Sequence, residues 1–262
     1  MEKQTKPTSE KSSFLKWVFY FKSLSVVIFH PSFLAKALLY AAVTACFLAL
    51  FPGGKSIDHF VDTGYAFPTD MLNLNSQGSQ IICLGDSMTL GVGASPGHDY
   101  PSLLKNSLKT EVVNAGVDGD ETEDALRRLD RDVLSKDPRL VIVLLGANDY
   151  LNAKPIDQAF KNLDEIVRRI EEKGAMVVVV EIGPSLLDRS IQKRYDRLVV
   201  DRRTAFVPLA YRNILFNPTL RSDYMHPNDK GYAMIAKKIL EIVDPLLKKR
   251  PSPQDLNSHP EV

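Results

Sequence analysis

The chain has 262 residues, which is long enough for one well-buried domain and an appendage. Its 33 basic and 32 acidic residues leave a net charge of +1, which does not indicate a nucleic-acid-binding protein. Cys46 lies in an apolar segment and Cys83 in a predicted strand, so a disulfide between them is not expected and the compartment stays undetermined. Since no cluster has the spacing of metal ligands, we expect no metal and no cofactor.

The first 32 residues form a basic segment in which lysines outnumber acidic residues. Its later part, Phe14 to His30, is rich in aromatic residues but is interrupted by Lys16 and Lys22. This pattern is more typical of a helix that lies in the membrane interface than of a membrane-spanning helix.

Residues 33–52 are predicted to be a transmembrane anchor. Phe33 to Phe51 is apolar apart from Lys36 and Thr44, a length near the lower limit for crossing a bilayer core of about 30 Å. Lysines precede the segment, so the positive-inside rule keeps the N-terminus cytoplasmic. We therefore expect a single-pass membrane protein whose remaining chain lies in the periplasm or outside the cell.

Two other interpretations of this segment remain open. It is also compatible with a cleaved signal peptide, or with a lipoprotein signal that uses Cys46, although the preceding region is long and apolar residues follow that cysteine. A soluble core helix is less compatible, because the segment has no polar face.

The remaining chain divides into three parts by composition. Residues 53–78 contain many Pro, Gly and Asn and no periodicity, which is typical of a linker. Residues 79–249 form the predicted folded domain. Residues 250–262 are rich in proline and are predicted to be a disordered tail.

Within the domain, predicted strands and helices alternate. The strands are predicted from their β-branched and aliphatic runs at Gln80–Leu84, Glu111–Asn114, Leu140–Leu145, Met176–Ile182 and Ala205–Pro208. The helices are predicted at Tyr100–Leu108, Thr122–Leu134, Pro155–Lys173, Asp188–Val200 and Asn228–Leu247. This alternation predicts an α/β fold, a three-layer α/β/α sandwich around a parallel sheet.

Polar residues follow the predicted strands at the edge where such sheets carry their sites. Ser87 comes directly after the first strand, and a serine nucleophile needs a base to take its proton. His226, just before the last helix, is the candidate base. Asp223, three residues earlier, can hold the second ring nitrogen of that histidine.

The same edge offers hydrogen-bond donors for a developing oxyanion. The candidates are the backbone N–H groups of Ser87 and Gly116 and the side-chain amide of Asn148. Two carboxylates are given secondary roles: Asp86 as the residue that fixes the turn before the serine, and Asp149 as a structural residue of the Asn148 loop.

These residues occur in four blocks, which are Gly85-Asp86-Ser87-Met88, Val113-Asn114-Ala115-Gly116, Gly146-Ala147-Asn148-Asp149 and Asp223-Tyr224-Met225-His226. In this order the chain resembles the SGNH, or GDSL-type, hydrolases. Further details, including Tyr100-Pro101 and His226-Pro227-Asn228, are most similar to the bacterial arylesterase, acyl-CoA thioesterase and lysophospholipase branch. The resemblance covers roughly Ser79 to Asp244.

The resemblance implies a five-stranded, flavodoxin-like sheet and a serine esterase or thioesterase that works through an acyl-enzyme. It implies a triad of Ser87, His226 and Asp223, with an oxyanion hole from Ser87, Gly116 and Asn148. The expected partner is a small-molecule or lipid acyl ester. Removal of O-acetyl groups from envelope glycans is the alternative substrate class, and a membrane-tethered scaffold with an inactive hydrolase fold is the alternative function.

Overall fold

The computed structural model describes residues 68, 70–181, 189–208 and 210–248. Five strands form one sheet: β1 (Gln80–Gly85), β2 (Val112–Gly116), β3 (Pro138–Leu144), β4 (Met176–Val180) and β5 (Ala205–Val207). The helices are α1 (Ser87–Leu90), α2 (Tyr100–Leu108), α3 (Thr122–Asp132), α4 (Ala147–Leu151), α5 (Ile156–Glu172), α6 (Arg189–Arg202), α7 (Arg212–Leu215) and α8 (Asp229–Lys248).

All neighbouring strands of the sheet are parallel, in the order β2-β1-β3-β4-β5. Helices α2 and α8 pack together, while α3 packs on α5 and α5 packs on α6. The central strands are buried on both faces, as in β4, where every residue from Met176 to Val180 is buried. These contacts make a three-layer sandwich with the core on both sides of the sheet.

The local sequence explains where several helices begin. Asp99 precedes α2, its carboxylate accepts the backbone N–H of Ser102 at 2.9 Å, and Pro101 occupies the first turn. At the start of α3, Glu121 and Asp124 form a capping box in which each side chain accepts the other's backbone N–H. The buried residues of these helices then face the sheet.

The strand order brings the ends of β1 and β3 together at a topological switch point. From β1 the chain crosses to β2 at one edge, and it then returns past β1 to form β3 on the other side. The register pairs Gly85 with Gly116 and also with Leu144, so the three strands end at one level. The segments that follow these strands therefore meet above the same edge.

The predicted fold class is confirmed. The α/β/α sandwich, its five parallel strands and its flavodoxin-like order are all present, and the five long helices lie within two residues of their predicted bounds. The short helices α1, α4 and α7 were not predicted, because four or five residues carry no periodic signal.

The predicted linker is wrong at its carboxyl end. Met71 is only 5% exposed and belongs to the hydrophobic core. The Asn73 side chain donates hydrogen bonds to the carbonyls of Glu171 and Ala175, at 2.8 and 2.9 Å. Residues 70–78 are thus part of the folded domain, whose first ordered contacts precede Ser79.

The predicted interfacial segment 1–32, transmembrane anchor 33–52 and disordered tail 250–262 lie outside the described residues. Among the residues that the structure describes, we find no helix with the length and apolarity needed to cross a bilayer.

Candidate active site

Ser87 is placed by a tight turn between β1 and α1. Asp86 caps this helix, with its carboxylate accepting the backbone N–H of Met88 at 2.9 Å. Gly85 is required at the base of the turn, because a Cβ there would lie 1.9 Å from the Thr89 hydroxyl and 2.6 Å from the Leu144 carbonyl. The turn leaves Ser87 8% exposed, as the first residue of the helix. Its backbone N–H has no acceptor among the described residues.

A hydrogen-bonded chain links Ser87 to His226 and Asp223. The Ser87 Oγ lies 3.0 Å from His226 Nε2, and His226 Nδ1 lies 2.8 Å from Asp223 Oδ2. The carboxylate only accepts hydrogen bonds, so Nδ1 carries the proton and Nε2 is left to accept from the serine hydroxyl. The structure therefore brings together the three residues that the sequence analysis selected from two distant blocks.

Asp223 is held in the ionised form. Partial burial by itself raises its pKa, but hydrogen bonds from the backbone and the side chain of His226 outweigh burial, and the pKa is lowered overall. Asp223 Oδ1 accepts the backbone N–H groups of Met225 and His226, each at 2.7 Å. This tight turn keeps the carboxylate against the imidazole.

The histidine turn is fixed to the domain from outside. The Tyr211 hydroxyl donates to the Met225 carbonyl, and burial raises the pKa of Tyr211 to about 12, so this donor stays protonated. The Ser222 backbone N–H donates to the His226 carbonyl at 3.0 Å. These two hydrogen bonds hold the backbone of the turn and thereby fix the position of the imidazole.

Asn148 lies just after β3, on the opposite side of β1 from Gly116. Gly146, which precedes helix α4, turns the chain with a φ of 108° that suits glycine. The Asn148 Nδ2 donates to the Asp120 carbonyl at 2.9 Å, and in the described part of the chain its second hydrogen has no acceptor. One amide hydrogen therefore fixes the position of the Asn148 side chain, and the other is available to bind a ligand.

Asp149 connects the Asn148 segment to helix α3. It is 3% exposed, and its carboxylate accepts the backbone N–H of Thr122 at 2.9 Å and the Thr122 hydroxyl at 2.6 Å. Asn162 donates to the same hydroxyl at 3.1 Å. Asp149 therefore contacts neighbouring segments rather than Ser87.

The structure disagrees with the expectation for Gly116 as an oxyanion donor. Its backbone N–H already donates to the Asn114 side-chain oxygen at 2.9 Å. A Cβ at Gly116 would lie 2.1 Å from the Leu90 nitrogen, so this glycine is needed for the close approach of β2 to helix α1. Glycine is therefore required at position 116 for packing.

A second glycine, Gly119, lies three residues after this block and has the available backbone N–H that was expected of Gly116. It lies in the exposed loop after β2, has a φ of 79°, and a Cβ there would meet no atom within 4 Å. Its N–H has no acceptor in the residues described. Asp120, the next residue, accepts the Asn148 amide, so this loop is tied to the site. The Asp118-Gly119 pair is a turn signal that our sequence analysis did not use.

Asp86, the residue before Ser87, is a buried ionisable group. It is 1% exposed, and burial raises its pKa to about 7. Its Oδ1 caps the helix, while its Oδ2 is buried without a hydrogen-bond partner. The carboxyl thus fixes the turn, as expected, at an electrostatic cost to the folded state.

Exposed apolar side chains accompany the site. Six large hydrophobic residues are exposed in the described ranges, and four of them lie within three residues of Ser87, Gly119 or His226 along the chain. We name these four the apolar rim: Leu90, Val117, Tyr224 and Met225, which are 40% to 77% exposed. Such a concentration on one edge is typical of a binding surface.

The family profile of the GDSL-like Lipase/Acylhydrolase family matches residues 83–234, more than half of the chain. This range begins inside β1, ends inside α8, and contains Ser87, Asn148, Asp223 and His226.

Curated relatives and solved structures agree with this match. An arylesterase of Vibrio mimicus is 29% identical over 65% of this chain and 91% of its own. Thioesterase 1/protease 1/lysophospholipase L1 of Escherichia coli K12 is 27% identical over 64% of this chain and 84% of its own. The crystal structure of the esterase EstA from Pseudoalteromonas sp., inhibited by monoethylphosphonate, superposes with a TM-score of 0.58. It is 25% identical and covers 65% of this chain and 100% of its own. The chain therefore belongs to the GDSL-like lipase/acylhydrolase family of carboxylic ester hydrolases.

Proposed function

We propose that this protein is a serine esterase or thioesterase that hydrolyses acyl esters through an acyl-enzyme formed on Ser87. The observation that carries the proposal is the chain from Ser87 Oγ to His226 Nε2, at 3.0 Å, and from His226 Nδ1 to Asp223, at 2.8 Å. A serine hydroxyl so connected can lose its proton to the imidazole as it attacks a carbonyl.

The reaction has two half-steps. In the first, Ser87 Oγ bonds to the acyl carbon, His226 takes the hydroxyl proton, and the same proton then passes to the leaving alcohol or thiol as its bond breaks. In the second, His226 takes a proton from water, the hydroxide attacks the acyl-enzyme, and Ser87 recovers its proton as the acid leaves. Asp223 stabilises the imidazolium in both half-steps.

We assign the oxyanion hole to the Ser87 N–H, the Gly119 N–H and the Asn148 side chain. Each has a hydrogen without an acceptor among the described residues, whereas the Gly116 N–H is already bonded to Asn114. Free, fixed donors are what the tetrahedral intermediate requires, because they need no reorganisation when charge develops.

The substitution Ser87→Ala tests the proposal. We expect turnover of a short p-nitrophenyl ester to fall at least about 1,000-fold, since the nucleophile is lost, while circular dichroism stays that of the wild type. A fluorophosphonate probe should label the wild type and not the variant. Ser135→Ala is the matched control, because Ser135 is exposed and its hydroxyl donates to the Arg131 carbonyl at the end of α3. Unchanged turnover in Ser87→Ala would refute the assignment of Ser87 as the nucleophile.

The apolar rim supports a substrate with an apolar acyl or aryl group. Exposed Leu90, Val117, Tyr224 and Met225 offer a surface that such a group can cover, which favours acyl and aryl esters over acetylated glycans. The names of the Vibrio and Escherichia coli relatives include aryl ester, thioester and lysophospholipid hydrolysis. A panel of aryl esters, acyl-CoAs, lysophospholipids and acetylated sugars decides among them, and preference for acetylated sugars would favour the glycan alternative.

We also propose that the domain is anchored to the membrane by residues 33–52 and faces the periplasm or the exterior. The apolar run and the preceding lysines support this placement. In spheroplasts, added protease should digest the domain without lysis. Digestion only after lysis would contradict the outward placement, and a soluble mature form would favour a cleaved signal.

A further inference from the structure

Arg128 is a buried cation on the inner face of helix α3. It is 9% exposed and lies beside the buried residues Ala125 and Leu129 of the same helix. Burying a guanidinium is costly unless its hydrogens are satisfied, so its partners determine why it can remain there.

The guanidinium joins three segments of the chain. Arg128 Nε donates to Asp120 Oδ2 at 2.5 Å, and the Asp120 side chain is itself 9% exposed. Arg128 Nη2 donates to the Gly85 carbonyl at 3.0 Å. Arg128 Nη1 donates to Asp132, on its own helix, at 3.1 Å. Two of these three partners belong to the candidate active site.

Each of those two partners lies within two residues of a residue to which we assign an oxyanion donor. Gly85 is the base of the turn that presents the Ser87 N–H. Asp120 follows Gly119 in the loop after β2, and its backbone carbonyl holds the Asn148 amide at 2.9 Å. The planar guanidinium therefore lies between the turn that presents the Ser87 N–H and the loop that contains Gly119. The same loop binds the Asn148 amide.

The loop has further attachments on either side of this ion pair. The Val117 N–H donates to the Gly85 carbonyl at 3.0 Å, and Thr122 is held by Asp149. Gly119 lies between these two points, and next to it Asp120 is held through its carboxylate by Arg128 and through its carbonyl by Asn148. Since Gly119 is exposed and has no side chain, no packing of its own restrains it.

We propose that Arg128 is the positioning residue of the oxyanion hole, acting through Asp120 and Gly85. This inference rests on the proposed esterase function. Oxyanion donors act only when they lie about 3 Å from the place where the charge develops, so a small displacement of the loop weakens them. Arginine suits this role, because its rigid fork can reach a carboxylate and a carbonyl at once, whereas a lysine presents one flexible ammonium.

The experiment compares Arg128→Lys and Asp120→Asn with the control Asp132→Asn. Asp120→Asn keeps the backbone carbonyl that holds Asn148 but removes the charge that binds the guanidinium. Asp132→Asn removes another ion-pair partner of Arg128 that has no contact with the site. Each variant is assayed on a p-nitrophenyl ester, with an alkyl boronic acid as the tetrahedral analogue and the carboxylic acid product as the ground-state ligand. Circular dichroism establishes the temperature range in which each is folded.

We expect kcat to fall about 10- to 100-fold in Arg128→Lys and in Asp120→Asn, somewhat less than for loss of a donor, with KM changed less than about 3-fold. Affinity for the boronic acid should fall by a similar factor and affinity for the product should not, because only the tetrahedral adduct uses the donors. Asp132→Asn should retain kcat within about 2-fold.

Folded Arg128→Lys and Asp120→Asn proteins with wild-type kcat, or an equal loss in Asp132→Asn, would overturn the proposal. If Arg128→Lys does not fold, Asp120→Asn alone decides. An inactive wild type, or turnover that survives Ser87→Ala, would instead overturn the esterase function on which the inference rests.

Discussion

At the amino edge of the sheet, the Asn73 amide donates two hydrogen bonds to backbone carbonyls. At the carboxyl edge, the Asn148 amide donates one to a backbone carbonyl. Asn73 Nδ2 donates to Glu171 and Ala175, at the end of α5 and before β4. Asn148 Nδ2 donates to Asp120, and its other hydrogen has no acceptor among the described residues. The same type of side chain thus joins two segments of the fold at one edge and has a hydrogen-bond donor available at the other.

This difference separates residues that hold the fold from residues that are ready to bind. Arg202, at the end of α6, likewise pairs with Asp164 of α5 at 2.5 Å. At the carboxyl edge, Ser87, Gly119 and Asn148 each have an N–H hydrogen with no acceptor in the part of the chain that the structure describes. Substitutions at the amino edge should therefore change stability, and those at the carboxyl edge should change turnover.

The largest effect is expected from Asp223→Asn. The amide can donate to His226 Nδ1 and so favours the wrong tautomer, in which Nε2 carries a proton and cannot accept one from Ser87. We expect kcat to fall about 1,000-fold in an ester assay, with little change in KM. Asp244→Asn, which removes only an exposed pair with Lys248, is the control. A loss below 10-fold would show that Asp223 does not orient the base.

Asn148→Ala should come next. It removes one oxyanion donor, and we expect kcat to fall about 100-fold while the free energy of unfolding falls by only about 1 kcal/mol. The control is Asn152→Ala on the same segment, since Asn152 donates to the Glu121 carboxylate at 2.8 Å and not to the Asp120 carbonyl. Equal kcat values for the two variants would break the contrast between the two edges.

Asn73→Ala should have the opposite signature. It removes two hydrogen bonds and leaves alanine at a φ of 59°, so we expect the free energy of unfolding to fall by about 2 kcal/mol in urea titration. Turnover at temperatures where the protein is folded should be unchanged. Asn73→Gly tolerates this φ and should be less destabilised by about 1 kcal/mol. A loss of kcat in either variant would contradict the separation of the edges.

The last effect is spread over about three pH units and concerns the buried carboxyl of Asp86. Its pKa is 3.8 in the unfolded chain and about 7 in the folded domain, because burial disfavours the charge. Between these values the folded state binds a proton that the unfolded state lacks. Stability should therefore fall as pH rises from about 4 to 7, by at most about 1.4 kcal/mol per pH unit, and then level off.

Asp86→Asn should remove this dependence, since the amide keeps an oxygen for the Met88 N–H but does not titrate. Urea unfolding of both proteins across this pH range measures the difference between their curves. Curves that stay parallel would show that Asp86 does not titrate in that window.

The sheet and three of the four site blocks could be predicted from the sequence, because their signals lie within short stretches of the chain. Strands buried on both faces must be continuous apolar runs, as in Met176–Val180, and a parallel sheet must bring its strand ends together. Asp223 and His226 are three residues apart, so their contact depends on one tight turn. Such features need no knowledge of distant packing.

The glycine of the second block could not be assigned in the same way. Gly116 is the last residue of β2 and Gly119 lies three residues later in the following loop, and both residue types suit a close backbone approach. What distinguishes them is the neighbour each one meets: Leu90 crowds Gly116 and Asn114 takes its N–H, while Gly119 faces open space. Leu90 comes from another segment, and Asn114 is oriented by its amide bond to the Thr89 carbonyl of that segment, so neither contact can be read from the local sequence.

By itself, then, the sequence determined the α/β fold, the family and the serine, histidine and aspartate that we place at the centre of the reaction, because these follow from periodicity and short-range spacing. Only the tertiary structure decided that residues 70–78 belong to the domain and that Arg128 lies beneath the Ser87 turn. A charged residue on the buried face of α3 requires a partner. Which partner it meets depends on how β1, β2 and α3 pack together.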